Sequence, residues 1–254
     1  MSFRSRILEN TTYIALSRVD VLSRALEVTA NNLANANTDG FKASKELFSD
    51  YLVQQKDVHG LPGDKEEVYT QDRSTYQDRL QGALRQTGNL TDFAINGEGY
   101  FAVRTTQGVR LTRNGEFNRR ADGTIVDGSG NPLIDRNGNN VVIPPRDHTL
   151  SVASDGTMST ETGRVATLDL VTVDNPNTLV PEGGYLLRPT TPTRNVANKE
   201  IRQGMLESSN VNAVSETTEM VEIQRDYDLT FQLIQTESTR QSNAIDKITA
   251  DPTT

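Results

Sequence analysis

The amino-acid sequence predicts an α+β protein, with a discontinuous assembly domain of two terminal coiled-coil helices and a mainly antiparallel β domain between them. Two observations predict this class. Apolar residues recur three and four positions apart at both ends of the 254-residue chain, as on one face of a helix. In the middle, Asn-Gly and Asp-Gly pairs alternate with short runs of β-branched and aromatic residues, which is the pattern of antiparallel hairpins.

Residues 11–35 are predicted to form the first helix. Asn10 or Thr11 can cap its first free N–H groups, and the Asn-rich segment that ends at Gly40 tolerates the positive φ at which helices stop. The apolar stripe has the alternating gaps of a heptad. Its predicted members are Thr12, Ala15, Val19, Leu22, Leu26, Thr29 and Leu33.

Residues 212–249 are predicted to form the second helix, because neither Gly nor Pro occurs from 205 to 251. Asn212 is the predicted N-cap, and Glu216 lies near the positive end of the helix dipole. The predicted stripe again has gaps of three and four. Its members are Met220, Ile223, Tyr227, Phe231, Ile234, Ser238, Gln241, Ile245 and Ile248.

We predict four segments from these patterns. Residues 1–40 hold the N-terminal assembly helix and its motif, 41–81 an extended polar connector, 82–204 a β-rich outer domain, and 205–254 the C-terminal assembly helix, which packs with 1–40. In the β-rich segment, each Asn-Gly or Asp-Gly pair is predicted to fill the two positive-φ positions of a type I′ turn. These pairs begin at Asn96, Asn114, Asp122, Asp127, Asn137 and Asp155.

The two predicted helices have narrow apolar stripes, which stabilise an isolated helix too little in water. The helices are therefore expected to pair with each other and with the same helices of neighbouring copies. Periodicity alone leaves an ordinary intramolecular two-helix bundle as the alternative.

Composition argues against several classes of protein. The formal net charge is -8, without a concentrated basic stripe, so no nucleic-acid partner is predicted. The absence of Cys removes disulfides and thiolate metal sites. No run approaches the roughly 18 apolar residues that a membrane span needs, and the N-terminus has no apolar core of a cleavable signal.

Catalytic and ligand-binding motifs have little support. His59 and His148 lie in predicted loops, and no G-x-S-x-G nucleophile elbow occurs. Residues 97–99 lack the third glycine of a dinucleotide loop, and residues 135–138 lack the spacing and closing Glu of a calcium loop. We predict no enzyme, catalytic residue, cofactor or metal. A β-rich, calcium-dependent binding module is the alternative from another functional class.

Residues 30–42 read Ala-Asn-Asn-Leu-Ala-Asn-Ala-Asn-Thr-Asp-Gly-Phe-Lys, which resembles the N-terminal signature of the flagellar rod and hook protein family. Small and amide side chains let helices approach closely and hydrogen-bond across an interface, while the glycine turns the chain and the phenylalanine anchors it. Residues 82–104, 111–117 and 204–212 are similar to further segments of the same family. The resemblance therefore covers nearly the whole chain.

Within this family, residues 9–17 and 72–76 are most similar to a proximal rod subunit. A distal rod subunit tends to open with an Ala-Thr-Gly-Met stretch, which is missing here, and it is the alternative within the family. Two departures weaken this distinction: residues 90–91 are Leu-Thr instead of Pro-Leu, and residues 236–238 replace a more usual Thr-x-Asp-Glu ending.

The resemblance implies a structural axial protein of the bacterial flagellum, which serves motility in the periplasmic part of the basal-body rod. It implies passage through the type III export apparatus without signal cleavage, and assembly with copies of itself and other rod proteins. The resulting helical tube would transmit torque and enclose the export channel. The residues expected at the assembly interface are Leu22, Leu26, Asn31, Asn32, Leu33, Asn35, Asn37, Met220, Ile223, Tyr227, Phe231 and Ile234, with the motif turn at Gly40 and Phe41.

Overall fold

The computed structural model describes residues 3–53, 67–183 and 185–249. The order of elements is a long helix, many short strands and a second long helix, which confirms the α+β class. Several sequence predictions fall outside the described part of the chain: the Gly- and Pro-containing break of the connector at 60–63, His59, and the side chains of Thr12, Ile245 and Ile248.

The helices are α1 (Phe3–Ala34) and α2 (Ala213–Thr249). The first strands are β1 (Ser44–Val53), β2 (Glu67–Gln77), β3 (Leu84–Gln86), β4 (Phe93–Ile95), β5 (Phe101–Thr105), β6 (Gly108–Thr112), β7 (Asn118–Arg119) and β8 (Ile125–Val126). The remaining strands are β9 (Ser151–Val152), β10 (Thr157–Thr160), β11 (Gly163–Thr167), β12 (Val171–Thr172), β13 (Leu179–Glu182), β14 (Leu186–Pro189), β15 (Arg194–Asn195), β16 (Ile201–Gln203) and β17 (Met205–Glu207).

The chain divides into two compact units. The helical unit comprises Met1–Leu33, Ser44–Tyr76 and Asn212–Thr254, and the β unit comprises Ala34–Ala43 and Gln77–Val211. Strands β1 and β2 pair with each other, within the segment for which the sequence predicts an extended connector. Each unit is therefore assembled from segments that are distant in sequence.

The predicted N-cap is confirmed for α2 but not for α1. The Oδ1 of Asn212 accepts hydrogen bonds from the N–H groups of Val214 and Ser215 at 3.1 and 3.2 Å, which confirms the predicted N-cap of α2. The predicted cap of α1 at Asn10 or Thr11 is wrong, because α1 already begins at Phe3. The preceding residues contain no Gly or Pro that would stop the helix there.

The β unit consists of small antiparallel sheets. The largest has the strand order β13-β14-β6-β5, and a three-stranded sheet has the order β11-β10-β9. Two further pairs join strands from opposite ends of the unit, because β3 pairs with β17 and β4 with β16. The segments through which the chain enters and leaves the β unit therefore lie side by side.

The largest sheet buries apolar residues on both faces. Along β5, Phe101 and Val103 contribute to one cluster and Ala102 to another, as expected when successive side chains point to opposite faces. Phe117 packs against Phe101 edge-on, with ring centroids 5.6 Å apart. The larger cluster consists of Phe93, Ile95, Phe101, Val103, Phe117, Ile125, Leu133, Val141, Ile143, Leu150, Val152, Met158, Leu168, Leu170 and Ile201.

The hairpin turns differ from the predicted type I′ geometry. The N–H of Gly123 donates to the carbonyl of Arg120 at 2.9 Å, so this glycine is the fourth residue of its turn and not a central one. The Asp122 carboxylate accepts from the N–H of Thr124, which favours this arrangement. The type I′ prediction is likewise wrong at Asn137-Gly138 and Asp155-Gly156, where Gly138 and Gly156 also donate to the carbonyl three residues earlier.

One buried carboxylate makes the stability of the β unit depend on pH. Hydroxyl hydrogen bonds of 2.5 Å from Thr160 and Thr162 hold the pKa of Asp147 below its usual range. A carboxyl with a lowered folded-state pKa adds stability above its unfolded pKa and loses it as the pH falls through the folded pKa. We expect the urea midpoint of the wild type to fall more steeply below about pH 4 than that of Asp147→Asn. Parallel pH profiles, measured by circular dichroism, would contradict this.

Candidate assembly site

The two terminal helices run antiparallel in the helical unit. Arg18 of α1 bonds Asp226 of α2 at 3.3 Å, and Asn32 bonds Glu216 at 3.1 Å. Residue numbers therefore rise along α1 as they fall along α2. Both side chains of the first pair are more than half exposed, so this ion pair contributes little stability.

One stripe of α2 is buried or half-buried, with alternating gaps of four and three residues. Thr230 belongs to it at 8% exposure, whereas Phe231 is 46% exposed, although its ring stacks on Tyr227 with centroids 6.5 Å apart. Thr230 can be buried because its hydroxyl donates to the Asp226 carbonyl at 2.7 Å. The stripe consists of Glu216, Met220, Ile223, Tyr227, Thr230, Ile234, Glu237 and Gln241.

On α1, the predicted leucines Leu22, Leu26 and Leu33 are half-buried. Asn31 is exposed, whereas Asn32 is almost fully buried. The Asn32 amide forms two hydrogen bonds of 2.9 Å with the backbone of Ser44 at the beginning of β1, in addition to its bond to Glu216. This motif amide therefore ties three elements of its own unit together.

A cleft of about 570 Å³ lies between α1 and α2, so the helices do not close completely on each other. Three predicted interface residues line it: Leu22 and Asn32 from α1, and Ile223 from α2. Its other apolar lining residues are Val21, Ala25, Val28 and Tyr76.

Large apolar side chains also lie on the faces of the helices that are not packed. Leu229 and Leu233, which we call the outer pair, are 63% and 48% exposed and lie one turn apart on α2. Leu16 of α1 and Val214 and Val221 of α2 are exposed as well. A helix with apolar residues around its circumference is typical of one that is buried on several sides.

The second half of the motif belongs to the β unit. Asn35 forms a turn by accepting hydrogen bonds from Thr38, and Asn37 is exposed. Gly40 has a φ of 74° and lies so close to the backbone of Arg113 that a Cβ there would approach its carbonyl carbon to 2.3 Å. Phe41 is buried. The chain therefore enters this unit through a contact that requires glycine.

A buried ion cluster, formed by Lys42, Arg113 and Glu207, follows directly. The fully buried Glu207 carboxylate pairs with the Lys42 ammonium and accepts from Arg113 at 3.0 Å. Burial lowers the pKa of Lys42 and the Glu207 partner opposes this, so the charge on Lys42 depends on that carboxylate. Sequence reasoning missed this cluster, although Lys42 and Glu207 lie in the two motif segments at 30–42 and 204–212.

The described residues include no group of three or more His, Cys, Asp or Glu side chains that could hold a metal ion. Among the helices in the same residues, none is long and apolar enough to cross a membrane.

Three protein-family models match the chain. Residues 13–42 match the flagella basal body rod protein model, and residues 94–160 match the flagellar hook protein FlgE/F/G D1 domain. Residues 202–246 match the flagellar basal body rod FlgEFG protein C-terminal model. The first and last matches include the cluster residues Lys42 and Glu207, respectively.

Curated relatives extend over nearly the whole chain. The flagellar basal-body rod protein FlgF of Caulobacter vibrioides is 36% identical over 95% of this chain and 98% of its own length. FlgF of Mesorhizobium japonicum is 32% identical over 94% and 97%. The flagellar basal-body rod protein FlgG of Agrobacterium fabrum is 31% identical over 88% and 93%. The chain therefore belongs to the flagellar basal-body rod protein family.

Proposed function

We propose that this protein is a structural subunit of the flagellar basal-body rod that polymerises through α1 and α2 into a helical tube. The observation that carries the proposal is the exposure of large apolar side chains on helices whose inner stripes are already buried or half-buried. Such side chains gain roughly 1.5–3 kcal/mol each when a neighbour buries them. The work of the protein is then mechanical, because repeated apolar contacts transmit torque, and no catalytic step is needed.

The position that we propose within the flagellum is the periplasmic, proximal part of the rod. The similarity of residues 9–17 and 72–76 to proximal subunits supports it, as do the FlgF relatives at 36% and 32% identity. The subunit would pass through the type III export apparatus with its N-terminus uncleaved. Its partners would be copies of itself and other rod proteins, with the terminal helices around the export channel. A distal position is the alternative, supported by the FlgG relative at 31% identity.

The outer pair provides the direct test of polymerisation. We expect Leu229→Asp combined with Leu233→Asp to abolish rod incorporation and swimming, while the helix content of the purified subunit stays at the wild-type level. The two leucines together contribute about 3 kcal/mol or more to each interface between subunits. Losing this contribution weakens association at least about a hundredfold. Sedimentation and electron microscopy of purified subunits would measure assembly, and a swimming assay would measure function.

The matched control is Val180→Asp in the β unit. Val180 is also an exposed aliphatic residue, at 37%, but lies outside the terminal helices. We expect this variant to assemble. Wild-type assembly by the outer-pair variant would contradict the proposal. So would a wild-type monomer whose terminal helices resist protease at every protein concentration, because such helices would need no neighbour.

A further inference from the structure

Three segments of the β unit carry all four points at which the chain passes between the two units. Residues 34–43 begin at the last residue of α1, residues 77–84 begin at the last residue of β2, and residues 204–211 precede α2. The backbone therefore connects the two units only through these segments, and a force transmitted along the backbone passes through them.

The first and third of these segments are bonded directly to each other. The N–H of Gly40 donates to the Glu207 carbonyl at 2.6 Å, and the N–H of Ala43 donates to the Asn210 Oδ1 at 2.7 Å. Residue numbers rise in the same direction along both stretches. Residues 40–43 and 207–210 therefore run parallel.

The middle segment, residues 77–84, is hydrogen-bonded to both of the others. The N–H of Asp78 donates to the Ala43 carbonyl at 2.7 Å, and the Asn210 amide donates to the Leu80 carbonyl at 3.1 Å. The N–H of Gly82 donates to the Glu207 carboxylate at 3.0 Å. Glu207 thus contacts all three segments, since Lys42 on the first segment pairs with the same carboxylate oxygen.

We propose that these three segments form a mechanical clamp, which carries force between α1 and α2 without passing it through the rest of the β unit. Tension from α1 pulls residues 40–43 at their N-terminal end, and tension from α2 pulls residues 207–210 at their C-terminal end. Because the two stretches are parallel, this tension is shear. Shear loads all the connecting bonds together, whereas peeling would break them one at a time.

Burial makes the clamp resistant to rupture. The Glu207 carboxylate is inaccessible to water, so water cannot replace the bonds from Lys42, Arg113 and Gly82 one after another. Hydrogen bonds to charged groups are the strong ones in proteins, and a buried charge that loses its partner is costly. Strands β4 to β16, with the apolar clusters, lie outside the path of the force.

Force spectroscopy on the full chain tests the clamp. The protein has no Cys, so Asn37→Cys and Ala213→Cys create unique attachment points at exposed positions on either side of it. The wild type should resist extension and then release the β unit in one step. Glu207→Gln should rupture at a clearly lower force, with an unfolding rate about a hundredfold higher.

Glu182→Gln is the matched control. Glu182 also holds two cations, Arg110 and Arg188, but lies on β13 outside the three segments. It should leave the rupture force unchanged. If Glu207→Gln does not fold, Asn210→Ala removes clamp contacts without changing charge and should also lower the force. Wild-type force in the clamp variants, or an equal loss in Glu182→Gln, would overturn the proposal.

The proposal that force acts on these segments in the cell rests on the proposed rod function. The force measurement does not depend on that function. It uses single subunits, so a protein that fails to polymerise could still have a clamp. Conversely, a subunit without the clamp could still form a tube.

Discussion

Gly40→Ala is expected to detach residues 34–43 from the rest of the β unit. An added Cβ would lie 2.3 Å from both the carbonyl carbon of Arg113 and the nitrogen of Asn114, far inside the contact distance. Both are backbone atoms, so no side-chain rotation relieves the overlap. The φ of 74° adds strain for any residue with a Cβ. We expect the free energy of unfolding of the β unit to fall by about 4 kcal/mol or more, measured in urea, with loss of swimming.

Gly88→Ala separates the two causes of this effect. Gly88 has a φ of 75°, nearly that of Gly40, but a Cβ there would meet nothing within 4 Å. This variant should lose only the roughly 1–2 kcal/mol that left-handed backbone costs a residue with a side chain. Equal losses in the two variants would mean that the close approach to Arg113 does not determine the stability.

The sequence predicts the turn at Gly40 but not the contact that requires it. A glycine after an Asn-rich helix end indicates positive φ locally, and the structure confirms it. The Arg113 backbone is distant in sequence, and no periodicity or turn pattern connects the two positions. The same holds for Glu207 and Lys42, since a sequence pattern that marks apolar faces carries no information about which buried charges meet.

The register of α2 illustrates a second limit. From Tyr227, gaps of three and four lead to Thr230 and Phe231, and hydrophobicity alone selects Phe231. The structure buries Thr230, whose hydroxyl bonds within the helix, and leaves Phe231 half exposed. In a soluble monomer, a half-exposed Phe231 would contribute little hydrophobic stabilisation. In a subunit that is covered by neighbours, an apolar residue beside the inner stripe has a further surface to pack against, and an assembly role for Phe231 therefore stays a prediction.

The predicted hairpin turns at Asp122, Asn137 and Asp155 exist with a different geometry, whereas the predictions at Asn96 and Asn114 are wrong, because β4 does not pair with β5, nor β6 with β7. Asn-Gly and Asp-Gly pairs are compatible with two turn types, and the pair alone does not tell which positions it occupies. At Asp122, the carboxylate bond to the Thr124 N–H stabilises the turn in which glycine is fourth. The side-chain oxygen therefore determines which turn position the glycine occupies. The sequence alone does not reveal this contact, because it depends on the backbone conformation.

Leu26→Asp is expected to abolish rod incorporation and motility while the β unit still folds. Leu26 is half-buried on the same side of α1 as the buried Ala15 and Thr29. A carboxylate at this position either stays charged in a poorly hydrated environment or forces α1 out of its packed position. Each outcome costs several kcal/mol. Electron microscopy of basal bodies would measure incorporation, and protease resistance of residues 34–43 and 77–211 in the purified variant would report folding of the β unit.

Ala121→Asp is the control for the added charge, because Ala121 is an exposed alanine of the β unit, outside the terminal helices. If negative charge alone prevents export or assembly, the two variants will fail together. If the packing of α1 is what matters, Ala121→Asp will assemble and Leu26→Asp will not. Normal swimming of Leu26→Asp would contradict any function that depends on α1 packing. The inner stripe of α1 would then not be needed for rod incorporation.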